Sequence, residues 1–176
     1  MPSDLNPSRN GEDYLLQNGL VSEDPLEIAN FLHTTKRLWP SQKMEYLSQR
    51  RHVLERLIKL QNYQNQFLPN ALRNFFAEVS APNNRGNYLT DMIEKFSERF
   101  CYCNPGLGFD KDTVFVLCFS LIMLSVDLAS PHVKNKMSKR EFIKNTIRAA
   151  DGVSDELAGH LYDNVYLIGH VATAVS

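Results

Sequence analysis

Residues able to do chemistry are few in this chain, and their spacing favours neither a metal site nor a nucleophile. Cys101 and Cys103 are close enough to form half a metal site, but no second pair of ligands stands at a suitable spacing. The chain lacks a Walker loop, a dinucleotide glycine fingerprint, an HExxH motif and a nucleophile elbow. No metal-ligand spacing relates the five histidines, which are His33, His52, His132, His160 and His170. The sequence therefore predicts no metal and no cofactor, and any catalytic role would work through contact with another protein.

One candidate functional feature is the polar loop at residues 80–87, which lies between two amphipathic segments. Pro82 and Gly86 break helical structure on either side of Asn83, Asn84 and Arg85. Loops held on rigid helices are frequent functional sites. An ordinary connection between helices explains the same residues, and spacing alone favours that simpler interpretation.

A second candidate is a basic face formed by Arg140, Lys144 and Arg148, which recur every four residues. Like charges at this spacing mildly disfavour an isolated helix. An acidic partner or an anionic membrane would offset the repulsion. A solvated face balanced by downstream acids explains the pattern equally well, and both interpretations stay open. Those acids are Asp151, Asp155, Glu156 and Asp163.

The composition is that of one globular domain. The chain has 176 residues, of which 43% are hydrophobic and 22% charged, with a net charge of -1. These values exclude extensive disorder and a whole-protein affinity for nucleic acid. The first residues contain no apolar run typical of a secretory signal, and three cysteines suit reduced thiols, so we expect a cytoplasmic protein, peripheral to membranes at most.

Helix-start signals recur along the chain, and the helices that they predict carry the candidate residues. Residues 24–27 and 138–141 both read as capping boxes, and Ser154 is suited to cap the last helix. Asp110 or Asp112 begins a helix containing the longest apolar run, VFVLCFSLIMLSV, whose 13 residues are too few to span a membrane. We expect this segment to be a buried core helix.

At least eight helices are predicted, and no alternating strand pattern is supported by turn signals. One helix begins at Ser41 and carries Leu47, Leu54, Leu57 and Ile58 on one side. Others begin at Pro69 and at about Tyr88, the latter extending to Phe100. Because the helices are many and short, an all-α layered array is favoured over a four-helix bundle.

Two long segments carry a family resemblance. They are PNNRGNYLTDMIEKFSERFCYCNP and DTVFVLCFSLIMLSVDLASPHVKNK, the second followed by EFI. In order and separation they resemble the two signature segments of Sec7 domains, and the resemblance runs from about Tyr14 to Ile168. NQFLPNALR, SPHVKNKMSKREFI and GHLYDNVYLIGHVA resemble more closely the Sec7 domains that follow an F-box. We expect a flexible leader over 1–10, a Sec7-like domain over 11–170 and a flexible tail over 171–176.

The resemblance implies a fold, a partner and an activity. The fold is a right-handed layered array of about ten helices with a hydrophobic surface groove, distinct from a four-helix bundle. Sec7 domains promote GDP release from Arf-family small GTPases, whose switch regions enter the groove. Any magnesium or guanine nucleotide would belong to that partner. Carried over by position, the groove would be lined by Phe115, Phe119, Ile122, Met123, Asp127 and Ser130.

The loop that carries the family's glutamate finger departs from the family pattern. The family reads Pro-Gly-Glu, whereas here counting forward from Pro82 places Asn84 at the finger and counting back from Phe96 places Arg85 there. Neither residue supplies the carboxylate that repels the nucleotide phosphate. At about 4 Å and an effective dielectric of about 20, that repulsion is worth roughly 4 kcal/mol, or on the order of a thousandfold in rate. Glu78 and Glu94 lie outside the loop, and we expect neither to substitute.

Three functional hypotheses follow. The first is an Arf-type exchange factor, doubtful as a catalyst because the finger is replaced and because Ser125-Val126 and Ala129-Ser130 depart from the second signature. Another is a catalytically inactive module that recognises an Arf-type GTPase for an F-box ubiquitin ligase, through an F-box that would lie outside this chain. The last is a helical scaffold whose groove is filled otherwise.

Overall fold

A computed structural model describes residues 24–34, 40–82 and 86–172. These residues form eight α-helices and no strand, so the predicted all-α class is confirmed for them. In chain order the helices are α1 (Pro25–Thr34), α2 (Pro40–Gln49), α3 (Arg51–Lys59), α4 (Leu68–Val79), α5 (Asn87–Cys103), α6 (Lys111–Ala129), α7 (Lys139–Ala149) and α8 (Asp155–Ile168).

The predicted helix starts are confirmed where a side chain caps the backbone. At α7, the hydroxyl of Ser138 accepts from the amide of Glu141, and the Glu141 carboxylate accepts from the amide of Ser138. Ser154 caps α8 by accepting from the amide of Leu157. Asp110, rather than Asp112, caps α6 by accepting from the amide of Thr113 at 2.8 Å, and this bond lowers the pKa of Asp110. These caps are set by neighbours in the chain, which is why the sequence reveals them.

The helix predicted from Ser41 to Ile58 is two helices. The chain leaves helical geometry at Arg50, with φ -126° and ψ 78°, and restarts at Arg51. The amide of Arg50 bonds to the carbonyl of Leu47, one residue closer than in an α-helix. No glycine or proline marks this point, so the apolar spacing alone predicts a continuous helix.

Helix α6 is the centre of the core. Its length and composition alone would allow it to cross a membrane. Its inner face, however, packs against α4, α5 and α8, as expected for a core helix. Seven of its residues are buried: Val114, Leu117, Cys118, Leu121, Ile122, Leu124 and Ser125.

Aromatic side chains fill the space beneath α5. The ring of Phe96 lies 5.1 Å from that of Tyr63 and 5.0 Å from that of Phe75. Tyr63 is only 2% exposed, and its hydroxyl has no hydrogen-bond partner within the described residues. Burial therefore raises the pKa of Tyr63 above its ordinary value.

The packed region extends to Ala172. Val171, placed in the predicted tail, is 1% exposed, and its amide donates to the hydroxyl of Ser125 on α6. Ala172 is 8% exposed. These two residues therefore belong to the packed body, while residues 1–10 and 173–176 lie outside the described part.

Candidate functional site

An apolar stripe runs along the outer face of α6. Phe115, Phe119 and Met123 stand four residues apart and so lie on one side of the helix. The rings of Phe115 and Phe119 are half-buried with centroids 5.0 Å apart, and Met123 is 60% exposed. Ile122, also predicted to line the groove, is 4% exposed and packs in the core behind the stripe.

The polar residues predicted for the groove hold a loop in place. Asp127 accepts from the amide of Met137 at 2.7 Å, and the hydroxyl of Ser130 accepts from the amide of His132 at 3.3 Å. Lys136 donates to the backbone carbonyls of both Asp127 and Ser130. These bonds therefore join the end of α6 to the following loop. One carboxylate oxygen of Asp127 is used in them.

Tyr162 on α8 fixes the same loop from the other side. Its hydroxyl donates to the carbonyl of Met137 at 2.9 Å, and its ring lies 5.8 Å from that of Phe142. The amide and carbonyl of Met137 thus connect α6 to α8. Sequence reasoning missed Met137 and Tyr162, because neither stands in a recognisable motif and their partners are distant in sequence.

The finger positions Asn84 and Arg85 lie outside the described residues, but both ends of their loop are described. On the α4 side, Ser80 is buried and has a φ of 60°, in the left-handed region that favours glycine. On the α5 side, the guanidinium of Arg51 lies 4.5 Å from the ring centre of Tyr88 and pairs with Asp91 at 2.8 Å. The end of α4 and the start of α5, between which the loop runs, are therefore both held in place.

The two flanking glutamates have different surroundings. The Glu78 carboxylate accepts from Lys43 at 2.9 Å, and the Lys43 side chain is only 11% exposed. His33 lies 3.7 Å from the same carboxylate oxygen. Glu94 is exposed on α5. Glu78 is therefore paired with Lys43 on α2.

The basic face of α7 is open to solvent. Arg140, Lys144 and Arg148 are all exposed, and within the described ranges no ion pair includes them. Of the acids considered as balancing charges, Asp163 pairs with a cation outside the basic face, and in the described residues none pairs with the basic face itself. Asp163 pairs with Lys139 at 2.8 Å, and Glu156 lies 3.7 Å from His160.

The cysteines considered as half of a metal site point to separate carbonyls. Cys101 lies 3.8 Å from the carbonyl of Phe109, and Cys103 lies 4.0 Å from that of Gln61. Burial raises the pKa of the Cys101 thiol. Across the described residues, no group of three histidine, cysteine or carboxylate side chains is placed to hold a metal ion.

The described residues thus form an all-helical domain with an apolar stripe on α6 beside a loop fixed by hydrogen bonds. The model of the Sec7 domain family matches residues 5–167. The chain belongs to the Sec7 domain family.

Known relatives and a solved structure agree with this assignment. The human F-box only protein 8 is 56% identical over 167 residues, covering 92% of this chain and 52% of that protein. Brefeldin A-inhibited guanine nucleotide-exchange protein 1 of Arabidopsis thaliana is 32% identical over 167 residues, covering 92% of this chain and 10% of that protein. The structure of ARF1-GDP bound to a Sec7 domain complexed with Brefeldin A matches with a TM-score of 0.84 and 22% identity, covering 94% of this chain and 87% of that one. The chain thus spans about half the length of F-box only protein 8.

Proposed function

We propose that this chain binds an Arf-family small GTPase through the apolar stripe of α6. The observation that carries the proposal is the exposure of Met123, at 60%, in line with Phe115 and Phe119 on a helix that is otherwise the centre of the core. When a partner covers an apolar side chain that is otherwise exposed to water, the burial of that surface stabilises the complex. The Sec7 domain of a structural relative is bound to ARF1-GDP, which supports the same class of partner here.

Nucleotide exchange by this domain is expected to be slow. Asn84 and Arg85 stand where the family places the finger carboxylate, and neither repels a phosphate. Losing one charge interaction of roughly 4 kcal/mol lowers the rate by on the order of a thousandfold. Binding is less affected, since the apolar stripe contributes independently of the finger.

A second candidate function is recognition without exchange, in the service of a ubiquitin ligase. The observation that favours it is the 56% identity to a relative named F-box only protein 8, of which this chain matches about half. On this proposal, the Sec7 domain selects the GTPase and an F-box outside this chain recruits the ligase components.

The decisive experiment measures release of fluorescent GDP from a panel of Arf-type GTPases, with binding to the nucleotide-free GTPases measured in parallel. Binding with little acceleration supports recognition without exchange, whereas clear acceleration supports exchange that needs no finger carboxylate. Absence of binding to every Arf-type GTPase rejects both proposals and leaves the helical scaffold.

Finger variants test the role of the missing carboxylate. Asn84→Glu or Arg85→Glu should raise the exchange rate, depending on which residue occupies the finger position. Asn84→Gln and Arg85→Gln are the matched controls, because they supply similar side chains without the negative charge. Equal rates for all four variants, with binding intact, would show that the carboxylate is not what limits exchange.

A further inference from the structure

The last turn of α8 forms an apolar tip on the surface. Tyr166, Leu167 and Ile168 are 67%, 78% and 63% exposed, although single exposed apolar residues are the more ordinary finding. Successive helical residues point about 100° apart, so three in a row make the turn apolar on most of its circumference. This tip is distinct from the stripe on α6.

The apolar tip is held in a defined position. The amide of Gly169, which follows α8, bonds to the carbonyl of Val165 at 3.0 Å. Arg73 on α4 donates to the carbonyl of Gly169 at 2.8 Å. The ring of Tyr166 stacks on that of Tyr162 at 6.0 Å. Water therefore contacts apolar side chains on a helix end that is fixed by hydrogen bonds.

The basic face of α7 begins beside the apolar tip. Lys139, the first residue of α7, pairs with Asp163, and Leu167 lies one helical turn beyond Asp163 on α8. Arg140 follows Lys139 directly and opens the row of exposed cations. Over the eight residues to Arg148 the row extends about 12 Å along α7.

We infer that the apolar tip and the basic face together dock on an anionic lipid bilayer. Cations spread over about 12 Å suit a continuous negative surface better than one small anion, since each can meet its own lipid headgroup. A convex helix end carrying tyrosine, leucine and isoleucine suits insertion among headgroups, where tyrosine is favoured at the interface. The nearby acids do not neutralise the row by direct pairing. Asp163 pairs with Lys139, and among the described residues no ion pair joins Glu141, Asp151, Asp155 or Glu156 to the row.

Vesicle co-sedimentation of the chain tests this inference. The probes are phosphatidylcholine vesicles with and without about 30% phosphatidylserine. We expect binding to the anionic vesicles only, and the variant Arg140→Gln/Lys144→Gln/Arg148→Gln should bind them about a hundredfold more weakly, at about fivefold per cation. Salt at about 1 M should also weaken the binding of wild type to anionic vesicles, because it screens the exposed cations.

Two further variants decide between this surface and general charge. Tyr166→Ser/Leu167→Ser/Ile168→Ser should bind anionic vesicles at least about tenfold more weakly, because the inserted apolar groups are lost. The control removes three cations from α3 and α5, as Arg56→Gln/Lys59→Gln/Lys95→Gln, and should bind like wild type. Failure of wild type to bind anionic vesicles, wild-type binding by the serine variant, or an equal loss in the control would each overturn the inference.

The same variants separate this inference from the proposed GTPase binding. Affinity for an Arf-type GTPase in solution, without vesicles, should be unchanged by the glutamine and serine substitutions in α7 and α8. Loss of vesicle binding with intact GTPase binding therefore concerns the lipid surface alone. Loss of GTPase binding in solution would place these residues in the protein interface and overturn the lipid assignment.

Discussion

Met123 and Leu124 are neighbours on α6 and provide a matched pair of substitutions that separates binding from stability. Met123 is 60% exposed, whereas Leu124 is 0% exposed. Full burial of a methionine side chain contributes about 1.5–3 kcal/mol, so covering the exposed part of Met123 contributes about 1–2 kcal/mol. Since about 1.4 kcal/mol is tenfold in affinity, we expect Met123→Ala to weaken GTPase binding by about 5- to 30-fold.

The stability of the two variants should show the opposite order. Met123→Ala should leave the free energy of unfolding within about 0.5 kcal/mol of wild type, because little buried surface is lost. Leu124→Ala leaves a cavity in the core and should cost about 2–5 kcal/mol. Isothermal titration with a nucleotide-free Arf-type GTPase measures affinity, and urea denaturation measures stability. Wild-type affinity in Met123→Ala would refute the stripe as a binding surface, and destabilisation equal to that of Leu124→Ala would place Met123 in the core.

Three further predictions concern polar groups in the fold. Tyr63→Phe should leave the free energy of unfolding unchanged or raise it by about 1 kcal/mol, since the buried hydroxyl has no partner among the described residues. A clear loss of stability in urea denaturation would show that the hydroxyl is paired. Ser138→Ala should lower the free energy of unfolding by about 1 kcal/mol through loss of the α7 cap, and Ser138→Thr should restore part of it. Burial raises the pKa of Tyr88 from 10.0 to about 12, so its protonated form stabilises the fold below pH 10 and that contribution is lost as the pH rises towards 12. Urea titrations across this range should show a smaller decline for Tyr88→Phe than for wild type.

The sequence revealed those parts of the fold that depend on neighbouring residues. The starts of α6, α7 and α8 were predictable because Asp110, Ser138 and Ser154 cap amides three residues away. The break at Arg50 was not, since no breaker residue marks it and the apolar spacing continues through it. Tertiary context can override local helix preferences, so a boundary without a breaker residue is not visible in the sequence.

The hydrogen bonds at the polar end of the candidate site also could not be predicted from the sequence. Family resemblance places Asp127 and Ser130 in the groove, but it does not show what their hydrogen bonds are used for. Asp127 binds an amide ten residues further along the chain, and Tyr162 binds the carbonyl of that same residue, Met137. Such a contact depends on how α6 and α8 are packed, so no local pattern can predict it.

Helix α8 links the two surfaces proposed here. Tyr162 fixes the loop at the end of the α6 stripe, and Tyr166 stacks on it one turn later as the first residue of the apolar tip. A GTPase bound on α6 and a bilayer in contact with the tip would therefore be held by a single hydrogen-bonded helix. Two hydrogen bonds fix this helix to the rest of the domain, from Tyr162 to the carbonyl of Met137 and from Arg73 to the carbonyl of Gly169. If both proposals hold, the GTPase surface and the lipid surface belong to one packed body, so the Met123 and tip substitutions should act independently of each other.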